Sequence, residues 1–334
     1  DAQESRGLGD VYKRQEQSVQ QADNDTGGRK MIYTVTVNPS IDYIVQLKNL
    51  TLGEVNRMDY DNKLPGGKGI NVSRILKELD VENTALGFLG GFTGRFVEES
   101  LENVGLSTSF THIKEDTRIN VKIKAEEETE INGRGPVISE EELVEFKKQF
   151  EKLEKGDVVI FAGSLAPNLD DDFYAELIDV IREKGADFVI DTTGESLMKT
   201  LEKKPLVVKP NNHELADLFH VELKSMDDVA KYGKKLLEFG AQHVLISMAG
   251  DGGMMITKDK VYRSYAPKGT VINSVGAGDS MIGGFTGTFA KTGDVLEAFR
   301  YGLACGSATA FSEDLADKNK INEILPLIKI EEYK

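Results

Sequence analysis

A glycine-rich turn near the C-terminal end of the chain carries one carboxylate where it meets an apolar segment. Residues 273–281 read NSVGAGDSM, and the apolar residues that follow are typical of a helix. Gly276 and Gly278 allow backbone N–H groups to converge on an anion, and a helix N-terminus adds its positive dipole end. Asp279 would then lie beside bound negative charge, where it can take a proton from an attacking hydroxyl. The pattern suits phosphoryl transfer, and a glycine turn with an Asp helix cap explains the same residues.

A second glycine motif occupies residues 66–74, which read GGKGINVSR. Gly66 and Gly67 permit close backbone approach, and Lys68 and Asn71 fall at the start of a predicted helix, where they can meet a polar ligand. The alternative is an ordinary glycine turn with a solvated lysine. Neither motif matches a Walker A loop. The segment from Gly276 does not complete a G-x-G-x-x-G either, because Met281 occupies the position of the last glycine.

Composition limits the class of protein. The chain has 334 residues, of which 40% are hydrophobic, and its formal net charge is −15. Such an acidic chain is a poor partner for nucleic acid or an anionic membrane, so we expect neither. Because Cys305 is the only cysteine, no intrachain disulfide is available, which fits a reducing cytoplasm. No run of about 18 apolar residues predicts a membrane span.

The first 30 residues are polar and contain no apolar stretch like that of a signal peptide. We interpret residues 1–30 as a tag-like or disordered leader and residues 31–334 as the functional domain, with Met31 as the natural start.

From Met31 onward, strand-like runs alternate with amphipathic patterns. Strands are expected at residues 32–37, 157–162, 188–191, 206–210 and 243–247, and helices at about 70–79, 140–153, 171–184, 226–239 and 294–311. This alternation predicts a mostly parallel sheet covered by helices. Two polar, β-prone segments, about 42–62 and 108–133, break the rhythm and are expected to form a small separate sheet. Within the second, Ile119, Val121 and Ile123 alternate with polar residues, as in a half-buried antiparallel strand.

Polar side chains collect where the predicted strands end. Asn38 and Asp42 follow the first strand, Ser164 another, and Asp191 and Asn211 follow two more. Ligands of open parallel sheets bind outside the carboxyl ends of the strands. These positions therefore predict one continuous cleft.

Together, the motifs resemble the two signatures of the PfkB (ribokinase-like) family of sugar kinases. Supporting matches occur in the family's order at residues 38–42, 116–122, 162–165, 209–214 and 247–252. The resemblance covers about residues 31–330. It implies an α/β fold with a ribokinase-like three-layer α/β/α core, a mostly parallel sheet, and a small β-sheet lid from about 42–62 and 108–133. Many relatives have Asp-Thr at 273–274 and Phe at 281, where this chain has Asn-Ser and Met.

By this resemblance Asp279 is the general base for the sugar's primary hydroxyl. The amides of Gly276, Ala277 and Gly278 would stabilise the transferring phosphoryl group. Asn211 and Glu214 form the N-x-x-E pattern associated with Mg²⁺, and Glu214 alone would equally serve a helix dipole. The nucleotide, ATP, would be contacted by these residues: Lys209, Ser247, Ala249, Gly250, Gly252 and Gly278.

The resemblance also implies the sugar contacts. Asp42 would accept hydrogen bonds from sugar hydroxyls, and Gly67, Lys68 and Asn71 would complete that site. Arg118, helped by Lys122, is the candidate for a fork-like grip on the substrate's existing phosphate, and Ser164 would also touch the substrate. The alternatives are turn formation for Asp42 and an exposed salt bridge for Arg118.

The implied activity is ATP- and Mg²⁺-dependent phosphorylation of a small sugar phosphate. Fructose 1-phosphate is the expected substrate, with tagatose 6-phosphate as the alternative. The alternative that is not an enzyme is a catalytically silent sensor of phosphosugars or nucleotides on the same fold. A nicotinamide dehydrogenase is disfavoured. We also expect a homodimer that pairs through the lid.

Overall fold

The β-strands of this protein, in a computed structural model that describes residues 30–334, form three sheets. Residues 1–29, and with them nearly all of the predicted leader, lie outside the described part. The strands are β1 (Ile32–Thr36), β2 (Ser40–Gln46), β3 (Tyr60–Gly66), β4 (Asn83–Gly90), β5 (Ser107–Thr108), β6 (Thr111–Ile113), β7 (Arg118–Lys124), β8 (Glu128–Asn132), β9 (Val158–Ala162), β10 (Asp187–Asp191), β11 (Val244–Ser247), β12 (Gly253–Ile256), β13 (Val261–Ser264) and β14 (Ile330–Glu332).

Helices connect and cover these strands. They are α1 (Lys68–Glu78), α2 (Gly91–Asn103), α3 (Glu140–Lys147), α4 (Asp171–Glu183), α5 (Gly194–Leu201), α6 (Asn212–Phe219), α7 (Met226–Glu238), α8 (Ala277–Thr292), α9 (Val295–Ala310) and α10 (Lys318–Ile324). Within residues 30–334, none of the helices is both long and apolar enough to cross a membrane.

The central sheet is parallel. Its order is β10-β9-β1-β4-β5, and β6 also pairs with β4. The strands β1 and β9 are rich in buried β-branched and aromatic residues, as expected of strands covered on both faces. The carboxyl ends of β1, β9 and β10 lie at the same edge, where the sequence predicted the cleft.

A second sheet, β11-β12-β13-β14, is antiparallel. The segment 206–210 links it to the central sheet: Leu206 N–H donates to Phe188 O, and Leu245 N–H donates to Val208 O. The sequence predicted a full strand here, and the structure has only isolated bridges. Pro205 and Pro210 flank the segment, and neither can donate a hydrogen bond to a ladder.

The small sheet has the order β3-β2-β7-β8. It begins at Ser40 and reaches Gly66, so it contains Asp42 and the first residue of the 66–74 motif. The predicted small sheet was wrong at one end, because residues 107–108 and 111–113 pair with β4 in the central sheet. The prediction of an antiparallel strand at 119–125 was only half right, because β7 pairs antiparallel with β8 and parallel with β2. Strand β7 therefore has a neighbour on each side. One is β8, which follows it directly, and the other is β2, which precedes it with α1 and α2 between them in the chain.

Helix starts follow from local residues. Ser139 Oγ accepts the Glu142 N–H at 3.3 Å, and Glu142 Oε2 accepts the Ser139 N–H at 2.7 Å, which completes the predicted capping box. The regular α-helix ends at Lys147, and Lys148–Lys152 continue as a 3₁₀-helix. Helix α1 starts two residues before the predicted position, which places Lys68 and Asn71 in its first turn.

Helices α8 and α9 pack with almost no space between their backbones. A Cβ on Gly284 would lie 2.6 Å from Tyr301 O, and one on Gly306 would lie 2.5 Å from Met281 Cγ. Cys305 is buried at this contact. The small residues therefore fix α8, and with it the glycine turn at its N-terminus, against the core.

Candidate active site

A polar cleft of about 530 Å³ lies between the central sheet, the small sheet and the first turns of α1 and α8. Twelve of the predicted site residues line it: Asp42, Gly67, Lys68, Asn71, Arg118, Lys122, Ser164, Lys209, Glu214, Gly276, Gly278 and Asp279. Both glycine motifs and the predicted sugar-binding residues therefore face a single cavity.

The turn before α8 has the conformation that an anion site needs. Gly276 is the N-cap residue with φ +79°, and a Cβ there would approach Leu315 Cδ2 to 2.6 Å. Glycine meets both constraints. The Ala277 N–H donates to Ser274 O at 3.2 Å, so an anion bound at this turn would have to share that donor.

Asp279 lies in the first turn of α8 and is only 5% exposed. Its Oδ2 accepts a hydrogen bond from Asn71 Nδ2 at 2.9 Å, which joins the two glycine motifs. Burial raises its pKa to about 6; the Asn71 hydrogen bond and the Lys68 and Lys209 cations oppose the rise, and Asp191 adds to it. A carboxylate with such a pKa is well matched to accept a proton near neutral pH.

Two lysines meet at Asp191, beside Asp279. Lys68 Nζ donates to Asp191 Oδ2 at 3.0 Å, and Lys209 Nζ lies 3.9 Å from Asp191 Oδ1. Burial lowers the pKa of Lys68, but the carboxylates of Asp191, Asp279 and Glu214 outweigh that effect and leave the pKa raised. Lys68 therefore remains a cation, and the cluster can balance the charge of an incoming anion.

On the opposite wall, Asp42 is held by neighbours on the small sheet. Its Oδ1 accepts hydrogen bonds from Ser40 Oγ at 2.8 Å and Asn120 Nδ2 at 3.1 Å. Its Oδ2 lies 3.5 Å from Lys122 Nζ, and that amine is also 3.6 Å from Glu130 Oε1. One oxygen of Asp42 thus accepts from two donors, and the other lies near the Lys122 cation.

Arg118 uses much of its guanidinium to hold the backbone. Nε and Nη2 donate to Asn38 O at 3.2 and 2.9 Å, Nη1 donates to Gly133 O at 3.0 Å, and Nη2 lies 3.4 Å from Ser164 Oγ. Burial lowers its pKa, against the effect of Asp42. A fork-like grip on phosphate would have to share these donors, and that role stays a prediction.

Asn211 and Glu214 form a reciprocal capping box at the start of α6. Glu214 N–H donates to Asn211 Oδ1, and Asn211 N–H donates to Glu214 Oε2, both at 2.8 Å. Glu214 also lines the cleft, whereas Asn211 does not. Between residues 30 and 334 no group of three or more His, Cys, Asp or Glu side chains could hold a metal ion. Any cation here would need ligands from a bound molecule and water.

The other predicted nucleotide residues lie outside the cleft lining. Ser247 ends β11, Ala249 begins a 3₁₀ turn with φ +46°, and Gly252 ends it with φ +88°. A Cβ on Gly252 would lie 2.0 Å from Ser264 O, so the turn is tightly packed. A backbone bridge between Asn211 and Ser247 connects this turn to α6. The turn that contains Gly250 thus adjoins the cleft without entering it.

Sequence reasoning missed several cleft residues, of which Ser40, Asn120 and Asp191 are the best connected. The signal was available for two of them. Side chains alternate along a strand, so Ser40 must share a face with Asp42, and Asn120 with Arg118 and Lys122. Asp191 was noted only as a strand-end residue, because its lysine partners come from distant motifs.

Known proteins match this chain over nearly all of the described part. The sequence model described as pfkB family carbohydrate kinase matches residues 35–321. The chain belongs to the pfkB family of carbohydrate kinases. This result confirms the resemblance, and with it the ribokinase-like α/β fold with a mostly parallel central sheet and separate small sheets. The protein is thus a phosphotransferase with an alcohol group as acceptor, it acts on a small molecule, and its family implies ATP as the phosphoryl donor.

Two curated relatives and one solved structure mark its place in the family. The 1-phosphofructokinase of Bacillus subtilis (strain 168) is 49% identical over 300 residues, which cover 90% of this chain and 99% of the relative. The D-tagatose-1-phosphate kinase of Bacillus licheniformis is 37% identical over 301 residues, with the same coverage. Phosphofructokinase-2 from Escherichia coli in complex with fructose-6-phosphate is 28% identical, with a TM-score of 0.83 and coverage of 89% and 98%. The same enzyme is known in a tetrameric inhibited form, which this chain matches with a TM-score of 0.82.

Proposed function

We propose that this pfkB-family kinase is a 1-phosphofructokinase, which converts D-fructose 1-phosphate and ATP to D-fructose 1,6-bisphosphate and ADP. The observation that carries the proposal is Asp279, a buried carboxylate with a pKa of about 6 in the first turn of α8. The 49% identical relative supports the choice of sugar.

In the proposed mechanism Asp279 takes the proton of the sugar's 6-hydroxyl. The 6-oxygen attacks the γ-phosphorus of ATP, the bond from that phosphorus to the β–γ bridging oxygen breaks, and ADP leaves with the electron pair. The Gly276 and Gly278 amides, with the N-terminus of α8, stabilise charge on the transferring phosphoryl group, and the Ala277 amide joins them if it leaves Ser274 O. Lys68 and Lys209 supply compensating positive charge.

Mg²⁺ fits the residues present, though with few protein ligands. When bound to ATP it would neutralise phosphate charge, as in other phosphoryl transfers. Glu214 would hold it through its cleft-facing carboxylate, and Asn211 would hold Glu214 through the capping box. Because Mg²⁺ keeps several waters and prefers oxygen ligands, one carboxylate beside a nucleotide is a suitable donor set.

The small-sheet wall would bind the sugar phosphate. Asp42 accepts from sugar hydroxyls, and Gly67 and Asn71 complete the contact beside Asp279. Arg118 and Lys122, with Ser164, bind the 1-phosphate, for which the net positive charge of the two side chains is suited. Ser164 lies within 3.4 Å of Arg118 Nη2, which supports a shared site.

The nucleotide would lie against the turn that follows β11. We assign its contacts to Ser247, Ala249, Gly250 and Gly252, and we place Lys209 at its phosphates. Lys209 lines the cleft and approaches Gly278, whose Cβ position is 3.2 Å from Lys209 Nζ. Lys209 would thus lie beside the turn that stabilises the transferring phosphoryl group.

The small sheet, which lies within residues 40–66 and 118–132, would act as the lid of a kinase domain of residues 31–334. Closure over the sugar would exclude water and limit wasteful ATP hydrolysis. The four-stranded sheet has its cleft face towards Asp279, and Asp42 and Arg118 stand on that face. We expect the enzyme in the cytoplasm, where its single buried cysteine stays reduced.

We also propose that the lid pairs with that of a second copy to form a homodimer. Its outer face carries exposed apolar side chains, with Ile119 41% and Ile131 60% exposed. Strand β8 is an exposed edge along its whole length. An apolar face beside an open edge favours self-association, and the 28% identical relative forms a tetramer.

A panel of four sugars tests the proposed reaction. Turnover with ATP and Mg²⁺ is measured on fructose 1-phosphate, tagatose 1-phosphate, fructose 6-phosphate and tagatose 6-phosphate. We expect kcat/KM to be highest on fructose 1-phosphate. The 37% identical relative makes tagatose 1-phosphate the main competitor, and tagatose 6-phosphate is now less favoured. Preference for any other sugar would contradict the substrate assignment, and absence of turnover would favour the silent sensor.

A further inference from the structure

The small sheet contains a closed hydrogen-bond network around the carboxylate of Asp42. Ser40 Oγ donates to Asp42 Oδ1 at 2.8 Å, and Asn120 Nδ2 is 3.1 Å from both Asp42 Oδ1 and Ser40 Oγ. The Asn120 amide nitrogen thus donates to two acceptors that are themselves hydrogen-bonded to each other. The amide oxygen is used as well, because Gly133 N–H donates to Asn120 Oδ1 at 3.1 Å.

The bond from Gly133 decides which way the Asn120 amide points. Its oxygen must face the Gly133 N–H, so its NH₂ group must face Asp42. Asn120 is only 8% exposed, and a buried amide that turned the other way would lose several hydrogen bonds. Gly133 itself is required, since a Cβ there would lie 2.8 Å from Ile119 O.

Strand pairing places these groups side by side. Asp42 is opposite Asn120 in the parallel pairing of β2 and β7, and Asn120 is opposite Asn132 in the antiparallel pairing of β7 and β8. Asn120 therefore hydrogen-bonds both to Asp42 on β2 and to Gly133, the first residue of the segment that follows β8. The same segment receives Arg118, which donates to Gly133 O at 3.0 Å.

We infer that Asn120 is a positioning residue for sugar recognition: it fixes Asp42 with Oδ1 occupied and leaves Oδ2, which lies 3.5 Å from Lys122 Nζ, to accept a substrate hydroxyl. The inference rests on the proposed function, because Asp42 binds the sugar there. Through Gly133, Asn120 also holds the segment that anchors Arg118. The hydroxyl-binding and phosphate-binding side chains therefore share one rigid support.

The decisive test is the pH dependence of Asn120→Asp. An ionised Asp at 120 lies about 3 Å from Asp42 Oδ1, so the two carboxylates repel and Asp42 loses its donor. As the pH falls, one proton is shared by the pair, and the protonated Asp can donate to Asp42 as the amide does. We expect kcat/KM on fructose 1-phosphate to fall about 10–100-fold at pH 8. The ratio of variant to wild type should recover severalfold by pH 5.5.

Asn132→Asp is the matched control. It adds the same charge at the neighbouring cleft position, and Asn132 has no hydrogen bond to Asp42; its Nδ2 lies 3.4 Å from Glu130 Oε2. We expect its ratio to wild type to change less with pH than that of Asn120→Asp, because the carboxylate pair that it would form with Glu130 is exposed and does not contact Asp42. Equal slopes for the two variants, or a flat ratio for Asn120→Asp, would overturn the inference.

Asn120→Ala covers the case in which Asn120→Asp does not fold. It should raise KM for fructose 1-phosphate about tenfold and leave KM for ATP within about twofold. Sugar KM at the wild-type value would also overturn the inference. Wild type is measured on all four sugars in parallel. If it prefers another sugar, only the substrate assignment fails and Asn120 is tested with that sugar; if it binds and phosphorylates none, both proposals fail.

Discussion

The two walls of the cleft are built in opposite ways. Asp279 stands on α8, which is packed into the core, and it is buried and hydrogen-bonded to the half-buried Asn71 of α1. Asp42 and Arg118 stand on a four-stranded sheet whose outer face and last strand are exposed. In the proposed mechanism, proton transfer thus takes place on the buried wall, and sugar recognition takes place on a sheet held together by hydrogen bonds between strands.

Removing the base should give the largest effect. Asp279→Asn keeps the shape and can still accept the Asn71 hydrogen bond, but it cannot accept the substrate proton. We expect kcat to fall about 10³–10⁴-fold, with ATP binding by calorimetry within about threefold of wild type. In the wild type, kcat/KM should fall as the pH drops below about 6, because the raised pKa leaves Asp279 protonated there.

Arg118→Ala is the comparison variant on the other wall. It should act mainly through KM for the sugar and leave the slow ATP hydrolysis without sugar close to wild type. If Asp279→Asn retained kcat and Arg118→Ala abolished it, the assignment of proton transfer to Asp279 and of sugar binding to Arg118 would be wrong.

A smaller effect is expected on stability, with the opposite sign from the effect on rate. The pKa of Asp279 is about 6 in the folded protein against an ordinary value of 3.8, so the folded state holds the proton more tightly. Ionising it therefore costs stability as the pH rises from about 4 to 6, and the full cost, about 3 kcal/mol, remains above pH 6.

Asp279→Asn removes that cost. Its free energy of unfolding should exceed that of wild type by up to about 3 kcal/mol at pH 8, and the gain should vanish as the pH approaches 4. Urea unfolding at several pH values measures this difference. If Asp279→Asn were less stable than wild type at pH 8, ionised Asp279 would not destabilise the folded protein as we expect.

The smallest kinetic effect is expected on the outer face of the lid. Ile131→Glu puts a charge on the exposed face of β8 and should convert the homodimer to monomer in sedimentation equilibrium, while kcat changes only severalfold. Asp279 and its partners Asn71 and Lys68 belong to one chain, so we expect the monomer to retain proton transfer. A monomeric wild type would contradict the proposed dimer.

The sequence predicted most of the core wall and less of the lid wall. Strong apolar runs and glycine motifs predict β1, β9, α1 and the α8 turn, because local residues determine each of them. The parallel pairing of β2 with β7 could not be predicted, since it joins residues about 80 apart with the α1–α2 region between them. Strand alternation could have placed Asn120 on the face of Arg118, but its contact with Asp42 could not be predicted, because it depends on that pairing.

The glycines between α8 and α9 have a consequence for how such an enzyme can change. Positions 284 and 306 leave no space for even a methyl group, so almost any substitution there would shift the turn that carries Asp279. The last strand of the lid, β8, has no such constraint, and its side chains are exposed to solvent. New sugar preferences can therefore arise by exchange of lid residues, while the machinery for phosphoryl transfer is inherited unaltered.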